Sequence, residues 1–159
     1  MFPTKILLAT DGSREASLAA KVAVELANCT ASELHVVHVL HTVLEFPYPP
    51  RSPAKEQSEA LLEQRRLKGL KLLDDQVKWV EEDLGGSVRS SYYREGRPEK
   101  EVIRLGKELD VGLIMTGGQK RLWFERIFGA GFSETVLRRA NRPVLVVDER
   151  RLQGSSVSR

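Results

Sequence analysis

The 159-residue chain has one cysteine, Cys29, so no disulfide can form within it. That scarcity fits a reducing compartment, and a cytoplasmic location is expected. Long hydrophobic runs are missing as well. The apolar stretches are strand-sized, far short of the roughly 20 residues that span a bilayer, so no membrane partner is expected. The opening residues, MFPTKILLATDGS, lack a positive n-region and a small-residue cleavage site. Neither sign of charge dominates: 25 Lys and Arg face 22 Asp and Glu, a net of +3. Such a mixture supplies no basic stripe for a phosphate backbone, which argues against nucleic acid as a partner. Neither a Walker GxxxxGKS/T loop nor a GxSxG nucleophile elbow occurs.

What remains is an ordinary globular composition, 41% hydrophobic and 30% charged. The length suits one domain over residues 1–149, followed by a polar, serine-rich tail over 150–159 that is expected to be disordered. Strand and helix signals alternate five times along the chain. Lys5 to Thr10 is a short apolar run ended by Asp11-Gly12-Ser13, and an alanine-rich helix follows over Arg14–Asn28. Cys29 is expected just past that helix, half-buried and inert. Leu34 to Leu40 reads as a buried strand. Residues 41–54 hold four prolines and read as a loop over the sheet edge or the crevice.

A long helix is expected from Lys55 to about Leu84, with Leu70, Leu73, Val77, Val80 and Leu84 as one apolar stripe on a charged cylinder. Gly85-Gly86 ends it. Ser87–Arg94 alternates weakly and makes the least distinct strand. Glu95-Gly96-Arg97-Pro98-Glu99 has the form of a strand-to-helix turn, with Pro98 near the first helical position. Val102, Ile103, Leu105 and Leu109 give the third helix its buried face. Val111–Met115 and Val144–Val147 are continuous apolar runs, as expected for strands covered on both faces. The fold class is therefore α/β: a doubly wound, five-stranded parallel sheet with ligands outside the carboxyl ends of the strands.

Two loops are placed to carry chemistry. The first, Ala9-Thr10-Asp11-Gly12-Ser13, follows the first strand. Its aspartate can accept hydrogen bonds from an adenine amino group or a ribose hydroxyl, and the helix start favours anions. Equally, Asp11 and Ser13 are ordinary capping residues. The second runs from Met115 through Thr116, Gly117 and Gly118 to Gly129, Gly131, Phe132 and Ser133. Its glycines allow close backbone approach to phosphate, and the last helix begins at its end. Lys120, Arg121 and Arg126 carry full charges there. The same glycines could simply relieve strain in a long loop.

At this point the sequence resembles the universal stress protein family over nearly its whole length, Lys5 to Val147. The resemblance rests on KILLATDGS, LHVVHV, EGRPEKEVIRLGKELDVGLIM and, most specifically, FSETVLRRANRPVLVV. It implies an adenine nucleotide alpha hydrolase-like sandwich that dimerises through its last strand, Val144–Val147. It also implies a non-catalytic stress-response protein holding ATP, with Mg²⁺ if a triphosphate, or another adenine nucleotide.

Ala9, Thr10, Asp11 and Val39 match the family's adenosine-side positions. Met115, Thr116, Gly117, Gly118, Gly129, Gly131, Phe132 and Ser133 fall on its phosphate side. There the sequence departs from the family's G-x-x-G-(nine residues)-G-S/T pattern. Counting back from Ser133 puts the glycines at Gly117, Lys120 and Ala130, with Gly131 at the Ser/Thr place. Counting forward from Met115 puts them at Thr116, Gln119 and Gly129. The loop is thus one residue longer and has a side chain where the middle glycine belongs, so weak binding of an adenine nucleotide, binding of one with fewer phosphates, or no binding is expected.

Other candidates are weaker. His35, His38 and His41 recur every three residues, but on a strand His35 and His38 face opposite ways, and no further ligand completes a metal set. Glu125 is the one loop carboxylate able to orient a water, and a surface role suits it better, so no enzyme is inferred. The rival function is a nucleotide-independent dimeric interaction protein, in which Trp123 or Phe124 fills the crevice.

Overall fold

The computed structural model describes residues 4–42, 52–118 and 131–148. Five strands, β1 (Lys5–Ala9), β2 (Glu33–His41), β3 (Val88–Gly96), β4 (Leu113–Gly117) and β5 (Val144–Val147), form one sheet in the order β3-β2-β1-β4-β5. All four pairings are parallel. The helices are α1 (Arg14–Thr30), α2 (Pro53–Glu82), α3 (Pro98–Glu108) and α4 (Phe132–Arg139). The expected doubly wound α/β architecture is therefore present.

Alternation along the strands assigns each side chain to one of two cores. Ile6, Leu8, Leu34, Val36 and Met115 pack with the alanines of α1 and with Leu73 and Val80 of α2. Leu7, Ala9, Val37 and Ile114 point the other way, toward Val102 and Leu105 of α3 and Val136 of α4. Small residues let α1 sit close: Ala19, Ala20 and Ala23 are wholly buried against the sheet. The two central strands are covered on both faces, which is why β1 and β4 read as unbroken apolar runs. The edge strand β3 is only half-buried along its length, and its weak alternation follows from that.

Several boundaries and one stripe differ from expectation. Helix α1 runs through Cys29, which is exposed rather than half-buried beyond the helix end. Helix α2 begins at Pro53, where the missing N–H costs nothing, and Ser52 caps it. Leu70 is 48% exposed, because the inward face of α2 runs through Gly69, Leu73 and Val80 instead. The first nine residues of α2, 53–61, are all exposed. Glu95 and Gly96 belong to β3 rather than to the turn after it.

The fourth strand is Leu113–Gly117, not Val111–Met115. Val111 is buried, yet its N–H bonds Gly106 in the turn leaving α3. Thr116 and Gly117, expected in a loop, pair with Val146 and Val147. No helix among the described residues is long and apolar enough to cross a membrane. The expected tail over 150–159 lies outside the described residues.

Candidate ligand crevice

The winding reverses between β1 and β4. The chain leaves β1 for α1 on one face of the sheet, while α4 packs on the other, so the loops diverge from the two strand ends, the place where a doubly wound sheet forms its ligand crevice.

The β1 edge is built from Thr10 to Ser13. Thr10 is buried, and every polar group it has is engaged. Its N–H donates to the Val37 carbonyl (2.9 Å), and its own carbonyl accepts from His38 Nδ1 (2.8 Å). A carbonyl cannot donate, so the His38 proton resides on Nδ1. The Thr10 hydroxyl donates to Gln76 Oε1 (3.2 Å) and accepts from the Gly12 N–H (3.3 Å). Asp11 is exposed and its Oδ1 accepts from the Ser13 N–H (3.0 Å), while Ser13 Oγ caps α1 by accepting from Ala16 N–H (3.1 Å). Gly12 has φ +74°, a left-handed conformation that glycine adopts without penalty. Its Cα faces Leu72 of α2, and an added Cβ would lie 2.8 Å from Leu72 Cδ1.

The N–H groups of Gly12 and Ser13 in the turn, and of Ala16 in the first turn of α1, are thus taken by Thr10, Asp11 and Ser13 of the same loop. A carboxylate stands beside them. This edge offers acceptors and repels anions, so the sequence-based view of it as an anion-favouring helix start is narrowed to groups that donate hydrogen bonds.

The β4 edge uses backbone instead. An added Cβ on Gly117 would meet Glu15 C at 2.5 Å, Glu15 O at 2.6 Å and Ala16 N at 2.7 Å. This glycine is required by the close approach of β4 to the first turn of α1. Ser133 of α4 donates to the Gly117 carbonyl (3.0 Å), and Thr116 Oγ1 lies 3.4 Å from the same oxygen. Gly118 N–H completes the ladder to Val147 O (2.8 Å). Gly131 is the N-cap of α4 with no side-chain cap among the described residues, none of which lies within 4 Å of where its Cβ would be. The first N–H groups of α4 thus have donor character that no described side chain takes up.

Of the sequence-predicted residues, Thr10, Asp11, Gly117, Gly118, Gly131 and Ser133 are brought to the two edges. Ala9 and Met115 put their side chains in the two cores and leave a ligand only backbone. Val39 packs at the margin of the α3-side core. Gly129, the Phe132 side chain, Trp123, Phe124, Glu125 and the basic residues Lys120, Arg121 and Arg126 lie outside the described residues. His35 and His38 do face opposite ways: His38 lies against Gly69 and Tyr93, and His35 against Tyr92. Among the described residues no group of three or more His, Cys, Asp or Glu is arranged to hold a metal ion.

Sequence reasoning missed Gln76 and Leu72, the α2 residues that back the β1 edge. A glycine inside a long helix, Gly69, was the available signal, since it marks close approach. Further along α2, Arg65 donates to the His41 carbonyl (3.2 Å), and Arg66 grips Glu95 with two bonds of 2.8 and 3.1 Å. That grip holds the Glu95 carboxyl below its usual range. Burial lowers the pKa of His41; Glu99 opposes the shift, and Arg65 and Arg97 add to it.

Comparison with known proteins agrees with this fold. A universal stress protein MJ0531 from Methanocaldococcus jannaschii is 30% identical over 143 residues, covering 90% of this chain and 81% of that protein. The solved structure of MJ0577 from the same organism superposes with a TM-score of 0.69 at 26% identity, covering 93% of this chain and 97% of the other. An Archaeoglobus fulgidus universal stress protein solved in complex with dAMP has the same fold, with a TM-score of 0.58 at 20% identity and coverage of 92% and 99%. The model of the universal stress protein family matches residues 3–148, and the chain belongs to that family.

Proposed function

We propose that the crevice binds an adenine nucleotide, with base or ribose on the β1 edge and phosphate toward α4, and that the protein acts without catalysis in stress physiology. The observation that carries this is the opposite use of two helix starts. At α1 the loop's own side chains take the Gly12, Ser13 and Ala16 N–H groups and Asp11 adds a carboxylate; at α4 no side chain among the described residues caps the helix. A nucleotide has the matching polarity, with donors on its base and sugar and negative charge on its phosphate. The dAMP complex of the Archaeoglobus relative supports a ligand of this class, one with a single phosphate. Binding would act by mass action, favouring the folded, ligand-closed state.

A homodimer through β5 is part of the proposal. Among the described residues this strand pairs only with β4, which leaves its other edge for a second copy, and Leu145 on it is 38% exposed. Isothermal titration with AMP, cyclic AMP and ATP tests the binding. Heat is expected with the monophosphates, and Asp11→Ala should abolish it while leaving the fold intact by circular dichroism. No heat from any of them up to about 1 mM would sink the binding claim. Unchanged affinity in the variant would remove Asp11 from the site.

A further inference from the structure

Helix α2 carries three residues at positions 69, 72 and 76, spaced by three and four, which places them on one face. Each bears on the β1 edge of the crevice. Gly69 allows α2 to lie against His38, whose Nε2 and Cδ2 would each be 3.3 Å from an added Cβ. His38 in turn holds the Thr10 carbonyl through Nδ1 at 2.8 Å. Leu72 walls off Gly12. Gln76 takes the Thr10 hydroxyl proton at 3.2 Å, which leaves that oxygen turned to accept the Gly12 N–H at 3.3 Å.

The direction of these bonds matters. A threonine hydroxyl has one proton, and a neighbouring acceptor decides where it points. With Gln76 Oε1 as that acceptor, the oxygen lone pairs are available to Gly12, and the left-handed turn at Gly12 is held. That turn sets the position of Asp11, one residue away. Gln76 itself is 66 residues from Thr10 in the chain and reaches the loop only through the packing of α2.

We infer that Gln76 is a positioning residue for the ligand site: by orienting the Thr10 hydroxyl it fixes the Thr10–Ser13 loop, so affinity at the crevice is set from α2. The inference rests on the nucleotide-binding proposal above for its effect on affinity, but not for its effect on the loop. Because coupling between two places is reciprocal, a ligand held by the loop would in turn stabilise the seat of α2.

The test is a double-mutant cycle on the full chain with AMP as the probe. Gln76→Met keeps the length and removes the acceptor, and Thr10→Val removes the hydroxyl while keeping the shape. Each is expected to weaken AMP by about five-fold, the effect of one net hydrogen bond. The double variant should be no weaker than Thr10→Val alone, because Gln76 acts only through the Thr10 hydroxyl. Gln76→Glu retains an acceptor and should restore affinity to within about two-fold of the starting protein.

Hydrogen exchange at the Gly12 amide supplies a readout that does not need a ligand. It should quicken in Gln76→Met and return toward the native rate in Gln76→Glu. If the unmodified protein binds none of AMP, cyclic AMP and ATP, the nucleotide proposal fails, and the Gly12 amide still decides the role of Gln76. If AMP binds and the two substitutions simply add, or Gly12 exchange is unmoved by Gln76→Met, the role assigned to Gln76 is overturned. Should Gln76→Met not fold, comparing Gln76→Glu with Thr10→Val decides the same question. Affinity near native in the first and reduced in the second is expected; equal losses in both would overturn it.

Discussion

The two edges of the crevice are made from the same parts, a strand end, a glycine and a helix start, yet they are held differently. The β1 edge is held by side chains: Thr10, Asp11 and Ser13 from within, His38 from β2, and Leu72 and Gln76 from α2. The β4 edge is held by main chain, with Gly117 pressed on the backbone of Glu15 and Ala16. Side-chain ends move by changing rotamer, whereas two backbones in contact inside a packed domain have nowhere to go. The β4 edge is therefore the fixed wall of the crevice and the β1 edge the adjustable one.

The sharpest way to break that contrast is Gly117→Ala. All three nearest atoms to the new methyl group are backbone, at 2.5 to 2.7 Å, so relief requires parting β4 from α1. A loss of about 3 kcal/mol or more is expected in urea denaturation. A loss under about 1 kcal/mol would mean the wall gives easily, and the contrast fails. Gly12→Ala should cost less. Its left-handed φ of +74° carries a penalty of about 1–2 kcal/mol for alanine, and the nearest atom is the end of the flexible Leu72 side chain. A Gly12 variant less stable than the Gly117 variant would reverse the assignment of fixed and adjustable edges.

The sequence made the sheet and the strand count legible, because apolar runs and turn residues report local physics. KILLAT followed by Asp-Gly-Ser predicts a buried strand, a turn and a cap; all three are found, with Gly12 left-handed in the turn. Position in the loop also pointed to Thr10 and Asp11. What periodicity could not supply was the inward face of α2. Leu70 scores as well as Leu73 in a hydrophobic pattern, but the helix is turned by the small residue at Gly69 and by polar contacts at Gln76. Those contacts cross more than 60 residues of chain and leave no local trace. Likewise Gly117 looked like a loop glycine for phosphate, since a strand-end glycine against a helix backbone has the same one-letter signature. Its neighbours in space decide which it is.

The smallest expected effect concerns acid, and it separates the edges by chemistry rather than by packing. Beside the adjustable edge, at the end of β2, His41 is bound through its carbonyl to Arg65 of α2. Burial holds its pKa below the ordinary 6.5, with Arg65 and Arg97 adding to the shift and Glu99 opposing it. A folded-state pKa below the unfolded one means the unfolded chain takes up a proton first as pH falls. Stability is therefore whole above about 6.5 and declines through the window between that value and the lower folded-state pKa, where it levels off. Lowering pH from about 7.5 to about 5.5 should reduce the denaturation midpoint of the native chain more than that of His41→Gln. Hydrogen exchange locates the effect. Relative to the intrinsic exchange rate at each pH, the Thr42 amide, bonded to Gly96 at 3.3 Å, should lose protection in acid, while the Gly118 amide, bonded to Val147 at 2.8 Å on the fixed wall, should not. Equal loss of protection at both would show that acid loosens the sheet as a whole, and the two edges would then differ only in how they are packed.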